Sequence, residues 1–292
     1  MKKLLFLTAA ALGVASQAFA LNPTNSFYVP KKGNFLFRGD ASWARVQDKT
    51  GTDTYTSIDG MYGLTNGVAL IAGVYENPAL INISRSLAAT DWESISEKES
   101  RIPEVGIRFV PCLDKGLRLA AEAAYGFGSY GSDSTKHDYI RAKLTGGVDV
   151  GNFIFGAFVD YAHFYRFSKN MTDDWGYTYS YNIHDANFYG GGLVATYNVN
   201  DKTSVDLTWR HSFKDQVRMR YEGNMAKFMG AKSHYKDSVR LSTTYEFKDG
   251  AYVTPYVGYN WVDKGASRGD NRYWGVLPRN TTTFGVNVAV EF

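Results

Sequence analysis

Apolar and polar residues alternate one by one along most of this chain, in stretches separated by polar turns. Residues 281–292, TTTFGVNVAVEF, show it most plainly. Phe284, Val286, Val288, Val290 and Phe292 fall on one face of an extended strand, and Gly285, Asn287, Ala289 and Glu291 on the other. A strict period of 2 marks a strand whose two faces meet different surroundings. The same alternation predicts strands over residues 35–46, 54–64, 68–75, 101–110, 117–127, 140–148, 153–166, 189–197, 205–213, 239–247 and 252–262. In 117–127, for example, Leu117, Leu119, Ala121, Ala123, Tyr125 and Phe127 oppose Arg118, Glu122 and Gly126. Pro103 and Pro255 depart from the pattern, since each removes a ladder hydrogen bond.

These are about twelve strands of about ten residues, the length a tilted strand needs to cross a bilayer. Their connections alternate between short ones, near residues 66, 113, 151, 200 and 249, and longer ones, near 50, 88, 132, 175, 225 and 271. Asn66-Gly67 is the strongest hairpin signal. The lead-in LNPTNSFYVPKKG and the segments 76–100, 167–183 and 214–235 have no steady period and read as irregular or loop. The expected fold class is therefore all-β: a transmembrane antiparallel up-and-down barrel, with short turns on the periplasmic side and longer extracellular loops. Aromatic residues gather near both strand ends. Phe35, Phe37, Phe109, Phe153, Tyr197, Phe247 and Phe292 mark one boundary; Trp43, Tyr125, Phe127, Tyr161, Trp209, Tyr259 and Trp261 mark the other. Amphipathic rings prefer such interfacial girdles.

Composition sharpens the picture. A 15% aromatic content beside a mean hydropathy of −0.30 suits strands with lipid on one face and water on the other. Residues 1–20 read as a secretory signal: basic Lys2-Lys3, an apolar run from Leu4 to Val14, and the small-x-small site Ala18-Phe19-Ala20. Cleavage there leaves residues 21–292 as one barrel domain. Losing Lys2 and Lys3 takes the bases from 32 to 30 against 29 acids, a net +1 that argues against a nucleic-acid partner. The lone Cys112 forms no internal disulfide.

The whole mature stretch resembles the Gram-negative outer-membrane β-barrels as a class, through its strands and its closing segment ending on Phe292. The resemblance implies an outer-membrane location and contact with lipid and lipopolysaccharide. It also implies that Phe284, Val286, Val288, Val290 and Phe292 are an assembly signal read by the barrel assembly machinery. By analogy it implies a monomer.

The inward faces carry the candidate chemistry. Arg38, Arg108, Arg118, Arg141, Lys143, Arg166, Arg210 and Arg240 are bases; Asp40, Asp59, Glu104, Glu122, Asp160, Asp206 and Glu246 are acids. They read either as the lining of a wet lumen that steers small polar solutes, in the manner of a porin, or as a salt-bridged filling. Porins of 16–18 strands leave an open channel and ~8-stranded barrels are filled, so about twelve strands fit a narrow pore. The alternative is a non-conducting barrel acting in binding or envelope structure through its loops, among them the basic stretch 216–236. An enzyme ranks third. Omptin proteases resemble the chain in length, signal and barrel type, but no Asp-x-His pair occurs here. The adjacent His211-Ser212 point to opposite faces of a strand, unlike the His-x-Ser of outer-membrane lipid hydrolases. No catalytic set, metal cluster or cofactor motif is read.

Overall fold

The computed structural model describes residues 22–46, 53–76, 101–111, 113, 116–127, 138–165, 167–172, 178–183, 185–215, 219–223, 226–227, 235–262 and 280–292. Twelve strands close into one antiparallel barrel. In chain order they are β1 (Phe35–Val46), β2 (Asp53–Thr65), β3 (Val68–Glu76), β4 (Arg101–Phe109), β5 (Leu117–Gly126), β6 (Tyr139–Val150), β7 (Phe153–Phe164), β10 (Ala186–Asn200), β11 (Thr203–Asp215), β14 (Tyr235–Lys248), β15 (Ala251–Val262) and β16 (Thr281–Glu291). The intervening β8 (Phe167–Thr172), β9 (Thr178–Ile183), β12 (Met219–Gly223) and β13 (Ala226–Lys227) form a separate four-stranded sheet. The barrel strands neighbour one another in sequence order, and β1 closes the ring on β16 from Leu36↔Glu291 to Val46↔Thr281. Closure satisfies every edge backbone group in a solvent that cannot hydrogen-bond them.

The burial pattern is inverted relative to a water-soluble sheet. Phe37 is 56% exposed on the outer wall, while its neighbour Leu36 is fully buried within the ring. Leu70, Val105, Leu144, Val159, Leu193, Leu207, Leu241 and Val288 likewise stand outward and exposed. Aromatic pairs sit at both rims: Phe35 lies 4.5 Å from Tyr62 and Phe153 4.7 Å from Tyr197 at the short-turn end. At the other end Tyr125 lies 4.9 Å from Phe127 and Tyr259 4.8 Å from Trp261. Two short turns rest on left-handed glycines, Gly151 (φ 59°) and Gly250 (φ 72°), conformations that cost glycine little. The Asn66-Gly67 hairpin forms without a positive φ at Gly67; a register shift between Gly63 and Thr65 absorbs the turn instead.

Two segments expected as loops turn out to contain strands. β8 pairs with β9, β9 with β12, and β12 with β13. β8 follows β7, β9 precedes β10 and β12 follows β11, so this sheet continues one side of the wall past the barrel rim. β9 (TYSYNI) and β12 (MRYEG) do alternate, but over only 6 and 5 residues. Runs this short, set inside long polar segments, give too weak a period to stand out, which is why periodicity missed them.

Candidate functional site

The lumen is crossed by the lead-in itself. Residues 22–34 have no strand partner of their own, yet Asn22, Asn25, Phe27 and Tyr28 are buried inside the ring. Phe27 packs against Ala120 and Ile154, with Val110 beside them. Gly147 and Gly156 make room for its ring: a Cβ at Gly147 would come within 2.8 Å of the Phe27 ring tip, and one at Gly156 within 3.5 Å. Tyr28 packs on the opposite wall with Leu36, Met61, Ala69, Ile71, Tyr252 and Ala289. Two consecutive aromatics thus brace opposite walls, forming a crossbar in the periplasmic half of the barrel.

Polar contacts hold this segment in place. Asn22 Nδ2 donates to Asp206 Oδ2 at 2.6 Å, and Asn25 Nδ2 donates to Thr196 Oγ1 at 3.0 Å and Asp206 Oδ1 at 3.3 Å. Arg38 Nη1 donates to the Pro23 carbonyl at 2.9 Å and Arg108 Nη1 to the Tyr28 carbonyl at 3.1 Å. Lys143 Nζ donates to Ser26 Oγ at 3.0 Å. The Tyr28 hydroxyl donates to Glu291, which also accepts Asn34 Nδ2 at 2.9 Å. A chain segment without a ladder keeps its polar groups satisfied only through such side-chain partners.

Around the crossbar the wall charges pair among themselves. Arg141 meets Glu104 in a fork, Nη2 to Oε1 at 2.6 Å and Nε to Oε2 at 2.8 Å, and also reaches Glu122. Arg108 binds Glu122 through Nε at 2.7 Å and Nη2 at 2.5 Å. Arg38 pairs with Asp59 at 2.6 Å, Arg210 with Asp160 at 2.8 Å, and Arg118 with Asp149 at 2.5 Å near the periplasmic rim. Charge-assisted, often two-pronged bonds of this kind fix side-chain position as well as energy. Opposite the Arg108–Glu122–Arg141–Glu104 cluster, on the extracellular side of the crossbar, lies a cavity of about 210 Å³. The wall strands from β6 to β16 line it with Lys143, Phe158, Asp206, Arg240, Tyr256 and Asn260; the lead-in contributes Thr24, Asn25 and Ser26.

The inward residues expected from alternation fall into three groups. Arg38, Asp59, Glu104, Arg108, Glu122, Arg141, Asp160 and Arg210 sit in the ion-pair network, with Arg118 at the rim. Lys143, Asp206 and Arg240 line the cavity. Asp40 accepts the Tyr256 hydroxyl at 2.9 Å, and Glu246 sits at a periplasmic turn, accepting Gly250 N at 2.9 Å. Arg166, most of the basic stretch 216–236 and the acidic residues of 77–100 lie outside the described residues. On the outer wall His211 Nδ1 lies 3.0 Å from Asp237 Oδ1, while Ser212 turns inward to Arg210 Nη1 at 2.5 Å. Sequence reasoning missed Asn22, Asn25, Phe27 and Tyr28, and also Asp149, which continues the β6 alternation rather than opening a turn. The available signal for the first four was an apolar pair, Phe27-Tyr28, and two Asn, one on each side of Pro23.

The geometry has known counterparts. An outer membrane channel from Pseudomonas putida F1 superposes with a TM-score of 0.60 at 11% identity, covering 94% of this chain and 100% of that one. The monoaromatic hydrocarbon channel CymD superposes at 0.54 with 10% identity, covering 96% and 93%. The chain shares the closed antiparallel β-barrel fold of these channels. A family model described as "Putative MetA-pathway of phenol degradation" matches residues 98–229. No curated protein matches the sequence.

Proposed function

We propose that this barrel is a narrow channel for passive diffusion of small polar solutes, and that solutes pass beside the lead-in through the space lined by β6 to β16. The observation that carries the reading is the cavity itself. One side of the lumen is closed by Phe27 and the ion-pair cluster, whereas the other holds about 210 Å³ bordered by hydroxyls, amides and charges. Thr283 Oγ1 on that wall and Asn287 Oδ1 further down β16 are buried without a partner among the described residues, as groups that hydrogen-bond to lumen water would be. Solved barrels with this fold include proteins described as channels, which supports conduction and leaves the solute to be argued from this chain's own lining. The mature chain is taken to begin at Leu21, after removal of the leader.

The test is single-channel recording of refolded residues 21–292 in a planar bilayer, beside a variant lacking 22–30. The full chain gives small, uniform current steps, and the shortened barrel gives steps several times larger. A folded shortened barrel that carries no current would sink the channel reading. The crossbar favours one second reading, a closed barrel acting through its outer surface, and that outcome would select it.

A further inference from the structure

The cavity beside the crossbar has an unusual electrostatic layout. Most wall arginines are saturated by carboxylates: Arg38 by Asp59, Arg108 and Arg141 by Glu122 and Glu104, Arg210 by Asp160. Lys143 differs. Its cross-strand neighbours Glu122 and Asp160 are committed to Arg108, Arg141 and Arg210, and among the described residues no carboxylate lies within ion-pair reach of its ammonium. Nζ contacts Ser26 Oγ at 3.0 Å and stands 4.3 Å from the centre of the Phe158 ring. An ammonium has three donors, so one hydroxyl and one ring face leave capacity for an incoming oxygen. Across the same cavity the Arg240 guanidinium stacks on Tyr256, 3.7 Å from the ring centre. The one carboxylate in the lining, Asp206, has its oxygens occupied by neutral donors from Asn22, Asn25 and Thr196.

We infer that this cavity is a binding subsite for small organic monoanions, with a carboxylate held by Lys143 and an apolar body of about one ring lying between Phe158 and Tyr256. Two cations, each backed by an aromatic face, favour an anion that also carries apolar surface over an inorganic ion or a sugar. A volume of about 210 Å³ suits a single-ring acid and leaves little room for a second ring. The subsite names a substrate class for the channel proposed above and rests on that reading.

The experiment is isothermal titration of the detergent-solubilised mature barrel with benzoate and with benzyl alcohol, run alongside bilayer recordings in the presence of each. Benzoate binds at least tenfold more tightly than benzyl alcohol and shortens or blocks current steps. Lys143→Met, which keeps the stem over Phe158, abolishes that difference while its heat-modifiable gel mobility remains that of a folded barrel. Equal binding of the acid and the alcohol by the unaltered protein overturns the inference, whatever the variant does. So does a preference for benzoate that survives in folded Lys143→Met. A barrel that conducts without preferring benzoate loses only the subsite; one that binds benzoate but carries no current loses the channel reading and keeps the subsite.

Discussion

Glu122 joins two arginines of the inner wall, since it binds both Arg108 and Arg141. Replacing it with Gln takes from Arg108 its carboxylate partner and from Arg141 one of two. Removing one partner of a buried charge network costs on the order of 3 kcal/mol, against under about 1 kcal/mol for exposed pairs. Urea unfolding of vesicle-inserted Glu122→Gln should therefore show a loss of about that size, and Arg118→Met, which breaks one ion pair rather than two, a smaller one. Equal losses would mean that lumen water screens both sites alike. At this scale the sequence was a good guide to facing and a poor one to pairing. Alternation put Arg141 and Glu104 on the inner face, but they lie two strands apart, and no spacing along the chain announces their fork. Asp149 was hidden for a different reason: an Asp beside Gly151 and Asn152 reads as a turn residue, although the strand continues to Val150.

Among the elements, the lead-in departs furthest from what the sequence shows. The barrel strands advertise themselves because lipid and water impose opposite demands on alternate residues. The lead-in meets protein on some sides, the cavity at Thr24 to Ser26 and the outside at Lys31 and Lys32, so no period of 2 survives, and its role comes from two rings and a handful of amides. The socket for Phe27 was equally silent, since Gly147 and Gly156 look like ordinary inward glycines until the ring above them is seen. Seating Phe27 buries a side chain worth about 2 kcal/mol. Gly147→Leu should push the ring out from the wall side, and Phe27→Ala should empty the socket from the other. Both variants should raise mean single-channel current above that of the unaltered protein, and both should expose residues near Asn25 to added protease. Current unchanged in both variants would mean that the crossbar does not limit flow.

For the molecule as a whole, closure depends on a single seam. Phe35 N donates to the Phe292 carbonyl and Phe292 N to the Phe35 carbonyl, each at 2.9 Å, and their rings stack 6.2 Å apart. Deleting Phe292 removes two hydrogen bonds and an aromatic contact where the ring is joined. The folded, heat-modifiable fraction in isolated outer membranes should fall several-fold, while the chain is still made and exported. An undiminished folded fraction would show that the closing strand needs no terminal aromatic residue. The barrel, its strand number and its long-loop asymmetry were all legible from periodicity. The sheet of β8, β9, β12 and β13 was not, because its strands run to 6 residues at most and lie inside long polar segments.

The crossbar also constrains how the protein comes to exist. Tyr28 and Asn34 both bond Glu291, 263 and 257 residues further along, so the lead-in is anchored by the last strand of the barrel. Contacts spanning nearly the whole sequence are the slowest to form. Phe27 and Tyr28, seated on opposite walls, hold those walls at a fixed spacing, so a lead-in already in place when the last strand pairs would set the width to which the ring shuts.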